Sequence, residues 1–355
     1  MATNDNVKYI NYKAVKRFGI DIFEREGVPA NEAEIIVDNL VKANLRGVDS
    51  HGVSRIPIYI KRLKKKLVEP VCKIKIEKKV GSVAVINGCN SMGAVVGYNA
   101  MGYAINSAKE KGIFFVVVNN SNHFGTAAFY SMMALDHDMI GFAASNAPST
   151  MALWGGIKPF LGTNPFSFAI PAGKKLPIVV DMATSVVARG KIILAEKNNQ
   201  KIPEGWAINK EGEMTTDAKE ALEGCVLPFG GPKGYAIALL IDIFCGILSN
   251  AAFGPHIGNL YENFVDPQNV GHCFAAIDVS KLIDVDVFKY RIDKMIEEIK
   301  ESPKAKNVNE IFLPGEIEFN IQKERLEKGI PLSMPVIQEL KALGESYNVN
   351  TDLFE

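Results

Sequence analysis

Six consecutive apolar residues, Ile113-Phe114-Phe115-Val116-Val117-Val118, end abruptly at the polar stretch Asn119-Asn120-Ser121-Asn122-His123-Phe124-Gly125. The run is too short for a buried helix and lacks the alternation of a half-exposed strand, so it predicts a strand covered on both faces. Such a strand needs a layer on each side, and the flanking sequence supplies helical patterns at 94–112 and 126–136. Further strand patterns at 140–145, 166–170, 178–181 and 273–277 make the expected class α/β. The polar stretch then lies at the carboxyl end of a central strand, where open α/β sheets place their ligands.

Outside this centre the chain reads as more helical. Val15, Phe18, Ile22 and Phe23 recur at helical spacing and Gly27 offers a left-handed stop, while Asn31 with Glu34 resembles a capping box opening a second helix that ends at Gly47. A third helix follows Asp49-Ser50-His51-Gly52, with Arg55 and Tyr59 four residues apart on one face. Its basic end, Lys61-Arg62-Leu63-Lys64-Lys65-Lys66, reads as solvated. Strands at 72–77 and 83–86 would join near Gly81-Ser82 as a meander. Later, Pro228-Phe229-Gly230-Gly231-Pro232-Lys233-Gly234 leads into an apolar helix at 235–248. The tail shows a charged helix at 284–301, a strand-like 311–313, Pro314-Gly315-Glu316 and two more helices.

Composition removes several function classes. Forty Lys and Arg balance forty Asp and Glu, so no net field draws the chain to nucleic acid. The apolar stretch 234–248 is shorter than the ~20 residues of a membrane span and contains Asp242, so no membrane partner is expected. Five scattered cysteines without a C-x-x-C pair argue against a disulfide framework or zinc site and fit a reducing cytoplasm. The opening Met-Ala-Thr-Asn-Asp-Asn has no basic or apolar leader region. No metal-ligand spacing appears, and none is expected.

Of five histidines, His51 and His123 stand in polar loops flanked by small residues, where an imidazole can reach a ligand and exchange a proton near neutrality. Each taken alone reads equally well as structural; His137, His256 and His272 read as structural or solvated. Arg55 offers a fork suited to a carboxylate if its helix begins near Val53. Val180-Asp181-Met182-Ala183-Thr184-Ser185 ends a strand in small and hydroxyl residues, open to a cofactor or to a plain N-cap at Thr184 or Ser185. Lys233, on a Gly-rich turn at a helix start, suits a phosphate. No G-x-G-x-x-G occurs, so the usual Rossmann fingerprint does not apply.

Arg46-Gly47-Val48-Asp49-Ser50-His51-Gly52-Val53-Ser54-Arg55, Asn122-His123-Phe124-Gly125, Trp154-Gly155-Gly156 with Gly162-Thr163-Asn164-Pro165, the 180–185 strand end and Pro232-Lys233-Gly234-Tyr235 occur in order over nearly the whole chain. Together they resemble the malate/L-lactate dehydrogenase family, which includes ureidoglycolate, sulfolactate and diketogulonate oxidoreductases. The resemblance implies a non-Rossmann α/β fold for NAD or NADP and a homodimer. It also implies hydride transfer between the cofactor and a small 2-hydroxyacid or 2-oxoacid, most simply of malate or L-lactate type.

By the same resemblance His123 matches the proton acceptor of one branch and His51 the proton donor of another; His123 is favoured as the acid/base, with His51 shaping the pocket. Ser50, Arg55 and Tyr59 match substrate contacts. Asn146, Asp181, Met182, Ala183, Thr184, Ser185, Lys233, Gly234, Pro314, Gly315 and Glu316 match cofactor contacts. Ala147 stands where relatives often carry a hydroxyl. The implied division is a substrate and dimerisation region at 1–120, a cofactor domain at 121–285 and a C-terminal region at 286–355 packing back on the first. A cyclic imino acid reductase and a non-catalytic nucleotide-binding homologue are the competing readings.

Overall fold

The computed structural model describes residues 7–355. β1 (Val7–Ile10) leads into α1 (Tyr12–Arg25), whose N-cap Asn11 accepts from the Lys13 and Ala14 amides, and Gly27 leaves that helix at φ +84° as its lack of a Cβ permits. α2 (Ala30–Leu45) begins after Pro29, so the expected capping box is not formed: Asn31 lies inside the helix, and Glu34 pairs with Lys16 2.9 Å away. After two short 3-10 turns comes α3 (Ile56–Lys64). Its basic end is not uniformly solvated, because Arg62 is only 1% exposed.

β2 (Lys75–Val80) and β3 (Val83–Asn87) form the hairpin around Gly81, but the chain then crosses through α4 (Gly93–Lys111) and β4 (Ile113–Ser121) pairs parallel with β3, so the meander stops at two strands. The crossover works because α4 buries small residues. Gly97, Ala100, Ala104 and Ala108 face the sheet, and a Cβ on Gly97 would stand 2.7 Å from the Tyr130 ring. α5 (Ala127–Ser131) continues only as a 3-10 turn to His137, after which β5 (Met139–Ser145) re-enters the sheet.

β6 (Met151–Ala152) and β7 (Pro159–Leu161) belong to a second, five-stranded sheet that periodicity did not reveal. β8 (Phe166–Ile170) and β9 (Ile178–Met182) complete the main sheet, and α6 (Arg189–Lys197) follows. β10 (Ala207–Ile208), β11 (Met214–Thr215), α7 (Ala218–Glu223) and β12 (Cys225–Val226) finish the small sheet in the order β11-β10-β12-β6-β7. Strands this short carry no readable period.

α8 (Pro232–Asp242) passes into a π-helical turn at Ile243–Ile247, and β13 (Val270–Asp278) then inserts between β4 and β5. The seven-stranded order is β2-β3-β4-β13-β5-β8-β9, and every pairing except β3 with β4 is antiparallel. A parallel Rossmann sheet is thereby excluded. α9 (Val285–Glu301) ends the sheet region. Residues 311–313 are not a strand but irregular backbone before α10 (Glu316–Lys328).

β14 (Ile330–Ser333) pairs antiparallel with β1, and α11 (Met334–Ser346) packs with the N-terminal helices. Phe18, Ile22, Ile36, Leu40, Ile56, Ile60, Leu332, Leu340 and Phe354 share one buried core, so both ends of the sequence meet in it. Among the described residues no helix is long and apolar enough to cross a membrane, and no cluster of metal-ligating side chains occurs.

Candidate active site

Two loops from different layers carry the histidines. The 49–55 turn is stapled by Asn44 of α2, whose Nδ2 donates to Asp49 at 2.6 Å and whose Oδ1 accepts the Val53 amide at 2.8 Å. Gly52 is required beneath it, because a Cβ there would lie 2.1 Å from Asn44 Oδ1. Arg325 of α10 clamps Asp49 through both terminal nitrogens, at 2.7 and 3.0 Å. The turn thus holds Ser50, His51 and Arg55 on a fixed backbone. Ser50 Oγ meets His51 Nδ1 at 3.0 Å, and Arg55 Nε donates to the Ser50 carbonyl at 2.7 Å.

The second loop leaves β4. Asn122 donates to Asn90 and Ser91, and Asn39 of α2 donates to the Phe124 carbonyl at 3.0 Å. Gly125 sits at φ +83° with no room for a Cβ beside Asn39. His272, near the start of β13, bridges Ser145 and Ser121 at 2.9 and 2.8 Å and stacks on Phe124 with centroids 4.5 Å apart. Burial takes its pKa down to about 3. It is a satisfied structural histidine under the loop, as its sequence context predicts.

On these supports the two histidines meet. Their rings stack with centroids 5.6 Å apart and planes 23° apart, and Tyr59 Oη lies 2.6 Å from His123 Nδ1. Burial and the nearby Arg55 charge lower His51 to about 4; burial, His51, Arg55 and His272 hold His123 well below the usual histidine value. Both rings are therefore neutral at pH 7. Burial also raises the Tyr59 phenol well above its usual value, so it stays protonated. The Gly125 amide donates to His123 Nδ1 at 3.4 Å, so with Nδ1 accepting from it and from Tyr59 the ring offers Nε2–H, the acid that reduction of an oxoacid needs. With the proton on Nδ1, donated to Tyr59, Nε2 presents the lone pair a general base needs. Among the described residues Arg55 is hydrogen-bonded only through Nε, and its two terminal nitrogens have no protein partner.

The residues matched to a cofactor gather around β9. Asp181 caps the start of α5 by accepting the Ala128 amide, directly after the His123 loop. Its side chain is solvent-accessible, yet desolvation by the surrounding protein raises its carboxyl to about 6, against the pull of the Arg46 charge. Met182 is exposed and Ala183 half-buried, while Thr184 donates to the Thr163 carbonyl and Ser185 to that of Val187. Neither hydroxyl is an N-cap, since α6 begins only at Arg189. Gly315 lies against Val179, where a Cβ would approach to 2.8 Å, and Pro314 accepts the Val179 amide. Glu316 is committed to the Leu313 amide and to Lys300. Phe229 donates its amide to Thr184, bringing Lys233 and Gly234 to the same edge.

Three features of this edge fit a dinucleotide. Lys233 is exposed at the amino end of the 11-residue α8, next to Gly230 and Gly231 at φ +56° and +63°, an arrangement suited to phosphate. Gly234 lets the turn close, since a Cβ there would sit 2.1 Å from the Phe229 carbonyl. Arg46, 8% exposed, leaves Nη1 without a partner beside Asp181. Asn146 differs from the others: its amide accepts from Gly271 at 2.9 Å and donates to Ala252 at 2.8 Å, so both ends serve the framework.

Asn39, Asn44, Arg325 and Gln268, whose Oε1 accepts the His123 amide at 3.2 Å, were not found from the sequence. Asn39 and Asn44 could have been, because they interrupt the buried apolar stripe of α2. Arg325 and Gln268 carry no such local signal.

The mixed α/β sheet, the paired histidines and an edge suited to phosphate fit a nicotinamide-type oxidoreductase. The malate/L-lactate dehydrogenase family model matches residues 10–341. Malate/(S)-sulfolactate dehydrogenase of Methanothermus fervidus is 40% identical over 333 residues, 93% of this chain and 95% of that one. Malate dehydrogenase of Pyrococcus horikoshii is 40% identical over 340 residues, 94% and 93% of the two chains. The solved sulfolactate dehydrogenase of Methanocaldococcus jannaschii superposes with a TM-score of 0.92 at 39% identity, covering 97% of this chain and 99% of that one. The protein belongs to the malate/L-lactate dehydrogenase family and is an NAD(P)-dependent hydroxyacid dehydrogenase.

Proposed function

We propose that the enzyme interconverts a small 2-hydroxyacid of malate or L-lactate type and its 2-oxoacid, with His123 as acid/base. The Tyr59–His123 contact of 2.6 Å beside the open fork of Arg55 carries this reading. Arg55 holds the substrate carboxylate edge-on, and Ser50 and Tyr59 border the same pocket. His123 Nε2 takes the hydroxyl proton during oxidation, and Tyr59 steadies the resulting imidazolium through Nδ1–H. His51, neutral and stacked on His123, shapes the pocket and excludes water without adding a second charge.

The nicotinamide cofactor supplies the hydride acceptor for C2 when bound. Asp181 to Ser185, Lys233 and Gly234, and Pro314 to Glu316 are the residues that would hold it, with Lys233 meeting a phosphate; Asn146 contributes by framing that edge. A homodimer fits the same reading. Ala236, Leu240, Ile243 and Ile247 leave an exposed apolar stripe at helical spacing on α8 and its following turn, the kind of face a second copy covers. The five free cysteines suit a reducing cytoplasm.

Absorbance of NADH and NADPH, followed with oxaloacetate, pyruvate, sulfopyruvate, 2-oxoglutarate and a cyclic imine acid, tests the reaction. Oxidation with an oxoacid is expected. Turnover of the cyclic imine alone would replace the reading with imine reduction, and cofactor binding without any turnover would favour a non-catalytic homologue. Light scattering in solution should give twice the chain mass, and Ile247→Lys should return it to one.

A further inference from the structure

Residues 258–268 run past Arg55 and His123 without regular secondary structure, and several of their backbone groups are tied by side chains. Arg62 of α3 reaches under the segment and donates to the carbonyls of Leu260 at 3.3 Å, Asn263 at 2.7 Å and Asp266 at 3.5 Å. Asn259 accepts the amides of Tyr261 and Glu262, and Asn263 those of Val265 and Asp266. Leu260 is buried in the helical core, and Phe264 lies under the ammonium of Lys61, 4.1 Å from its ring centroid. A charge as buried as that of Arg62 is costly unless its hydrogen bonds do something for the fold. Here it converts a loop into a fixed wall.

That wall touches the site at two points. Tyr261 places its ring 5.2 Å from the guanidinium carbon of Arg55. Gln268, 1% exposed, bonds the Gly258 carbonyl at 3.0 Å through Nε2 and accepts the His123 amide at 3.2 Å through Oε1. With Nε of Arg55 engaged by Ser50 and one face covered by Tyr261, only the edge bearing the two terminal nitrogens is left for a ligand. That edge matches the two oxygens of a carboxylate.

We propose that Tyr261 is a positioning residue for carboxylate binding, acting through Arg55, and that Arg62 positions Tyr261 by holding the 258–268 segment. The proposal rests on Arg55 being the carboxylate anchor of the reaction proposed above. Without the ring, Arg55 is free to rotate and hydrate, and carboxylate affinity falls while the proton-transfer geometry at His123 stays.

The test uses the full chain with NADH present and oxalate as a probe whose binding needs no turnover. Calorimetric titration of Tyr261→Ala should show oxalate binding weakened about tenfold, and Tyr261→Phe, which keeps the ring, should stay near wild type. With any oxoacid that the wild type reduces, Tyr261→Ala should raise the oxoacid KM by a similar factor, leaving kcat and the NADH KM nearly unchanged. Arg62→Lys, which keeps the charge but cannot span three carbonyls, should weaken oxalate binding likewise, and the double variant should add little more.

Wild-type oxalate affinity in Tyr261→Ala, an equal loss in Tyr261→Phe, or a wild type that does not bind oxalate overturns the proposal. Wild-type affinity in Arg62→Lys overturns the part assigned to Arg62. A wild type that binds oxalate but reduces no oxoacid would defeat the proposed reaction, while the oxalate series still decides the role of the segment.

Discussion

Tyr59 and His123, 64 residues apart in sequence, meet at 2.6 Å through phenol oxygen and imidazole Nδ1. The contact fixes which nitrogen of His123 faces the cleft. Replacing His123 with Ala should lower kcat by ~10²-fold or more, and Tyr59→Phe, which keeps the ring but leaves Nδ1 only the Gly125 amide at 3.4 Å, by roughly tenfold. Steady-state kinetics in the oxidation direction check both. Wild-type turnover in His123→Ala would move the acid/base role to His51.

Acid should weaken the fold through the buried histidines. His51 and His272 titrate near 4 and 3 when folded, and His123 is also depressed, whereas an unfolded histidine titrates near 6.5. The unfolded chain therefore binds more protons below pH ~6.5, so stability is present above that value and is lost as pH falls toward 4 and below. Each group contributes a slope of up to about 1.4 kcal/mol per pH unit in that window. Melting temperatures between pH 7 and pH 4 should fall less steeply in His272→Gln than in the wild type; identical slopes would remove His272 from the account.

Gly52 is a steric requirement of the 49–55 turn. Gly52→Ala drives a methyl group into Asn44 Oδ1 and should cost roughly 1–3 kcal/mol, the range for overpacking a tight site. Because Ser50, His51 and Arg55 hang on that turn, the hydroxyacid KM should rise as well. Chemical denaturation and kinetics on the same sample separate the two effects.

The Arg46 charge holds the Asp181 carboxyl down against desolvation. Arg46→Met should move that titration above its wild-type value of about 6, so a neutral Asp181 persists closer to neutral pH. Fluorescence titration of NADH across pH 5 to 8 should show the pH midpoint of binding shifted upward, with weaker binding overall because the unpaired Arg46 nitrogen is lost. An unchanged midpoint would separate Asp181 from cofactor binding.

Local residue order determined the central elements and the loops to which the chemistry is assigned. The strand at Ile113–Ser121, the helix before it, and the Ser50-His51-Gly52 and Asn122-His123-Phe124-Gly125 loops follow from periodicity and glycine placement, which act over a few residues. The chain-long series of motifs was likewise enough to identify the family. Only tertiary structure decided that His51 stacks on His123, that Tyr59 reaches Nδ1, and that Arg62 is buried under residues 258–268 instead of solvated at a helix end. It also decided that residues 311–313 stay irregular and that five very short strands pair into a second sheet. The reason is physical: burial, and the pKa shifts and buried ion contacts that come with it, depends on which distant segments the closed loops bring together, and such closures leave no period in the sequence.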